Sequence, residues 1–177
     1  MKKIIILAGY GLLPKLIVKK CKLRKISFNI LQFYDSEKIL NYSHSKKVTF
    51  GNVLTNLKRL QKEGFNKILM AGSIQRPNLK DLKPDLNSIK LLPKFIKKIM
   101  EGGDNNLLTL VINELENNGF KILSLRTFLP EIFIGKGNQT KCKISKSNLL
   151  DIQKGVKILN NNSKFDIGQS IIIQQGS

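Results

Sequence analysis

The chain has 177 residues and a formal charge of +19, from 31 Lys and Arg against 12 Asp and Glu. Hydrophobic residues make up 41% and charged residues 24%, enough apolar surface for a folded core, which excludes wholesale disorder. No apolar run approaches the about 20 residues that a membrane helix needs, and two distant cysteines (Cys21, Cys142) with one histidine (His44) exclude both a single-chain zinc cage and a disulfide framework.

The basic excess is lysine, since only Arg24, Arg59, Arg76 and Arg126 are arginine. Lys, Asn and Ile share A/T-rich codons, and runs such as Asn160-Asn161-Asn162 and Ile171-Ile172-Ile173 point to base composition as the source. Nucleic-acid surfaces favour arginine forks and stacking aromatics, and here aromatics are 7% with no Trp. A solvated lysine-rich surface with no nucleic-acid partner is therefore expected. A basic RNA-binding protein is the rival reading, and its affinity would fall steeply with salt.

Taken in chain order, Lys3–Ala8 reads as a buried parallel strand, short, β-branched and ended by glycine. Gly9 and Gly11 interrupt the apolar run, Pro14 and Lys15 follow, and no small-residue cleavage site appears, which argues against a signal peptide. Helical spacing over residues 12–22 places Pro14 in the first turn, where a missing N–H is harmless. Residues 26–33 read as a second strand and 47–50 as a short third. A helix starts at Val53 and stops at Gly64, and Lys67–Ala71 is another buried strand. Strands alternating with helices predict a parallel sheet covered on both faces. Beyond it, residues 76–87 read as an irregular loop, 88–100 as a helix, 107–115 as the start of another that Gly119 closes, and 120–125 as a strand. Residues 135–139 read as a flexible connection, 147–159 as a helix and 171–173 as a last strand.

Four short motifs stand at the ends of these elements. Ala8-Gly9-Tyr10-Gly11-Leu12-Leu13-Pro14 joins a strand to a helix. Its glycines let backbone N–H groups approach an anion at a helix N-terminus, or simply make a tight turn. Ala71-Gly72-Ser73-Ile74-Gln75-Arg76-Pro77 ends another strand, where ligands of open α/β sheets bind. Arg76 either clasps a phosphate or carboxylate there or fixes a loop. Asp104, after Gly102-Gly103, is either a helix N-cap or a magnesium ligand beside a phosphate. Asp166-Ile167-Gly168-Gln169 is a turn or a set of polar groups reaching a site. His44, in a polar stretch, supports no catalytic triad.

In this order the motifs resemble the UDP-2,3-diacylglucosamine pyrophosphatase family of lipid A biosynthesis, the magnesium-dependent type with two domains. Pro84-Asp85 and Lys90-Leu91-Leu92-Pro93 add to the likeness. The resemblance implies a Rossmann-like nucleotide- and phosphate-binding domain over residues 1–134. Residues 135–177 would then be a linker and the truncated start of an incomplete second α/β domain. It implies hydrolysis of a phosphoanhydride to 2,3-diacylglucosamine 1-phosphate and UMP, with Mg²⁺. The substrate-binding residues would be Gly9, Tyr10, Gly11, Leu12, Gly72, Ser73, Arg76 and Gln169, with Asp104 on the metal. Asn105 stands where the family pattern carries a second acid. The catalytic residues are expected in the C-terminal domain that is missing here, which makes a noncatalytic binding module the alternative. The expected partners are a UDP-linked glycolipid or nucleotide, and a second copy or a chain supplying the other domain. The expected location is cytoplasmic, with peripheral contact at the inner membrane.

Overall fold

The computed structural model describes residues 3–33, 44–74, 93, 96–97, 104–162, 168 and 170–177, the side chains of 104–107 excepted. The chain forms two compact units, Met1–Phe133 and Ile134–Ser177.

The first unit is built on β1 (Lys3–Ala8), α1 (Leu13–Leu23), β2 (Ser27–Gln32), β3 (Ser45–Lys47), α2 (Val53–Lys62) and β4 (Lys67–Ala71). It continues through α3 (Asp104–Asn117), β5 (Lys121–Ile122), the short helix α4 (Leu125–Phe128) and a 3-10 turn at Pro130–Ile132. The strands form one parallel sheet in the order β3-β2-β1-β4-β5. β1 is central and buried on both sides, as its unbroken apolar run requires. Ile4, Ile6 and Ala8 face one way, into a core shared with Ile17, Val18 and Cys21 of α1 and with Phe128 and Leu129. Ile5 and Leu7 face the other way, against Leu57 and Leu60 of α2, Leu115 of α3 and Phe120. The side-chain period of two thus splits one strand between two cores, and helices cover both faces as expected.

Three strand expectations need correction. The third strand is Ser45–Lys47 rather than 47–50; beyond it Thr49 donates its N–H to Asn52 Oδ1 at 2.9 Å, a turn that opens α2. The strand expected over 120–125 pairs only at Lys121–Ile122, because Phe128 donates its N–H to the Ser124 carbonyl and closes a helical turn there. Ile171–Ile173 is not a strand. Ile171 and Ile173 lie instead against Gly155, where an added Cβ would meet both side chains at 3.4 Å. The expected loop at 76–87 lies outside the described residues, as does the helix at 88–100 apart from Pro93, Ile96 and Lys97, which are helical.

In the second unit α5 (Lys146–Asn162) is the single helix among the described residues. Its start is a reciprocal cap: Asn148 N–H donates to Ser145 Oγ at 3.1 Å, and Ser145 N–H to Asn148 Oδ1 at 3.2 Å. Asp151 accepts the backbone N–H groups of Gln175 at 3.1 Å and Gly176 at 2.9 Å, tying the last residues to the helix.

Candidate functional site

β1 and β4 are neighbours, yet α1, which leaves β1, packs on one face of the sheet and α2, which leads into β4, packs on the other. A crevice at the C-terminal ends of such strands is where ligands of open α/β sheets bind. The two glycine motifs read from the sequence stand at this position.

The structure joins them directly. Tyr10 and Ser73 form an antiparallel bridge, with Tyr10 N–H donating to the Ser73 carbonyl at 2.8 Å and Ser73 N–H to the Tyr10 carbonyl at 2.9 Å. Gly9 N–H donates to the Ala71 carbonyl at 2.9 Å. The backbones are close enough that a Cβ on Gly9 would lie 2.7 Å from the Ser73 carbonyl carbon, and one on Gly72 would lie 2.7 Å from that of Gly9. Glycine at both positions is therefore a steric requirement of the loop-to-loop contact. The amides of Gly9, Tyr10 and Ser73 are engaged within the protein and do not face a ligand as bare donors. This pairing was not legible in the sequence, since either motif alone reads as an ordinary turn.

Gly11 is different. Its φ is +110°, and a Cβ there would meet nothing within 4 Å, so it is glycine for its backbone angle and opens onto free space. Leu12 then caps α1 with no side-chain hydrogen bond and no acid in the first turn. The N–H groups that begin a helix lack partners within it, so the amino end of α1 presents donors and positive potential beside Gly11. Gln32, buried at the end of β2 and in register with Ala8, is a further polar group next to these loops. Sequence reasoning passed over it, although a lone amide closing an apolar strand is a usable signal.

Asp104 opens α3. Arg76, Asp166 and Gln169 lie outside the described residues. Among the described residues no group of three His, Cys, Asp or Glu is placed to hold a metal. Magnesium commonly takes one or two carboxylates together with phosphate oxygens, and the Asp104 side chain lies outside what is described.

The family model for the LpxI N-terminal domain matches residues 3–132, which spans the whole sheet and both glycine motifs. The chain belongs to the LpxI family. It is 27% identical over 177 residues to the UDP-2,3-diacylglucosamine pyrophosphatase LpxI of Caulobacter vibrioides. That alignment takes in 99% of this chain and 63% of the relative, so the chain spans under two thirds of the LpxI protein it resembles. Within the LpxI match, Gly9, Tyr10, Gly11, Leu12, Gly72 and Ser73 converge at the C-terminal end of β1 and β4.

Proposed function

We propose that this chain binds the phosphate groups of a UDP-linked glycolipid at the amino end of α1 and acts in the pyrophosphatase step of lipid A biosynthesis. The observation that carries the reading is the uncapped start of α1 beside Gly11, at the point where the sheet connections diverge. Membership of the LpxI family and the pyrophosphatase activity for which its Caulobacter relative is named support the chemistry. The bond broken would be the phosphoanhydride, giving 2,3-diacylglucosamine 1-phosphate and UMP.

The residues have separable parts in this reading. The α1 amides hold phosphoryl oxygens, Gly11 keeps the approach open, and the Tyr10–Ser73 bridge fixes the two loops as one floor. Arg76 would add a guanidinium fork to the diphosphate. Mg²⁺ held by Asp104 and the phosphates would neutralise charge on the phosphoryl oxygens. Preorganised donors of this kind favour the more highly charged transition state over the ground state.

Incubating the protein with UDP-2,3-diacylglucosamine and Mg²⁺ and following UMP by mass spectrometry tests the reading. UMP release establishes a hydrolase; tight binding without release leaves a binding module that works with another polypeptide. Arg76→Ala should weaken glycolipid binding by about 1.5–3 kcal/mol, the range for hydrogen bonds to charged groups, with little change in melting. Calorimetric titration beside a thermal melt reads both. Unchanged binding with a lower melting point would make Arg76 a structural residue.

A further inference from the structure

We infer that the outward face of α1 is a docking surface for an anionic phospholipid bilayer. The helix buries Pro14, Ile17, Val18 and Cys21. Its far side therefore carries Leu12, Lys15, Lys19, Lys22 and Leu23, all of them exposed. Charge is concentrated in this part of the chain, since residues 1–34 hold eight of the 31 basic side chains and none of the 12 acidic ones. Elsewhere on α1 the cations are occupied: Lys20 meets Glu131 at 2.6 Å, and the Arg24 guanidinium lies 5.9 Å from the centre of the Phe128 ring. Lys15 and Lys19 have no such counter-group among the described residues.

Charge alone attracts any polyanion, and the leucines narrow the choice. Leu12 is 65% and Leu23 72% exposed, at the two ends of the basic face. Apolar side chains flanking lysines gain by entering the boundary between headgroups and acyl chains, while the lysine stems lie along that boundary and lift their ammonium groups to the phosphates. A nucleic-acid backbone offers no such apolar layer and is met by arginine forks and stacking rings, which this face lacks. Attachment would be peripheral, since among the described residues no helix is long and apolar enough to cross a membrane. The surface adjoins the Gly11 site at Leu12 and Lys15 and extends away from it through Lys19, Lys22 and Leu23, and vesicles without a UDP-linked ligand report on the surface alone.

Co-sedimentation of the full chain with vesicles tests the assignment, using phosphatidylcholine alone and phosphatidylcholine mixed with phosphatidylglycerol. The wild-type protein should bind only the mixed vesicles and release as salt rises. The double variant Lys15→Glu, Lys19→Glu should lose about tenfold or more in partitioning. Lys58→Glu with Lys62→Glu makes the same charge change on α2, which packs on the opposite face of the sheet from α1, and should lose less than about threefold, since a site's field fades over a screening length. Leu23→Ser should weaken binding and steepen its salt dependence. Circular dichroism confirms that each variant is folded. Equal loss in the two double variants would reduce the effect to net charge and overturn the assignment. So would indifference to phosphatidylglycerol, or single-stranded RNA displacing the protein from mixed vesicles.

Discussion

Three glycines near the candidate site are glycine for two different reasons, and substitution separates them. At Gly9 a methyl group would strike the Ser73 backbone, which cannot move without breaking the Tyr10–Ser73 bridge. Gly9→Ala should cost about 3 kcal/mol, the upper end of overpacking in a rigid setting, and Gly72→Ala should cost at least as much, since its φ of +89° adds backbone strain to the same kind of clash. At Gly11 there is room but the backbone angle is wrong for an L-residue, so Gly11→Ala should cost only about 1–2 kcal/mol of strain. Urea unfolding of the variants tests the order, and an equal cost at Gly9 and Gly11 would contradict it. The cysteines divide in the same manner. Burial pushes the Cys21 thiol up from 9.0 to about 11, against the opposing pull of Arg24, while Cys142 is exposed. A thiol reagent near neutral pH should modify Cys142 in the folded protein and reach Cys21 only on unfolding. Because the folded-state value is raised, the neutral thiol's contribution to stability is complete below pH 9 and fades towards pH 11. Melting points across that window should therefore fall less steeply in Cys21→Ala than in the wild-type chain.

Elements in this protein differ in how far local sequence decided them. β1, α2 and β4 were readable to within a residue or two because their apolar spacing agrees with the faces they bury. The strand expected at 171–173 was misread for a physical reason. Three isoleucines favour extended backbone, but a strand also requires a partner edge, and Ile171 and Ile173 meet the flank of α5 at Gly155 instead. Gly155 lies in mid-helix, where glycine costs about 1 kcal/mol relative to alanine, and an added Cβ would make ordinary contact at 3.4 Å. Gly155→Ala should accordingly stabilise α5, with slower amide exchange along residues 150–160 as the readout. Faster exchange would show that the isoleucine contact tolerates no Cβ. Between α1 and the 3-10 turn, the hydrogen bond from Lys20 holds the Glu131 carboxyl below its ordinary range. That contribution is present above the ordinary carboxylate value and is lost as acid protonates Glu131.

At the scale of the molecule, a net charge of +19 on 177 residues loads the folded state with self-repulsion. Added sodium chloride should raise the thermal midpoint as it screens that repulsion; a fall with salt would mean that specific ion pairs outweigh it. Among the described residues the ion pairs Lys20–Glu131 and Arg59–Glu63 both lie at the surface, where such pairs contribute little.

Fold class followed from the sequence because buried parallel strands and amphipathic helices write their burial into local spacing, and the glycine motifs marked where strands end. What tertiary structure alone decided was the use of those motifs. A hydrogen bond between residues 10 and 73 leaves no local trace, since its partners are brought together only when β4 crosses to the far side of β1. That crossing turned two independent turns into a single floor, engaged the amides of Gly9, Tyr10 and Ser73, and left the amino end of α1 beside Gly11 to meet an anion.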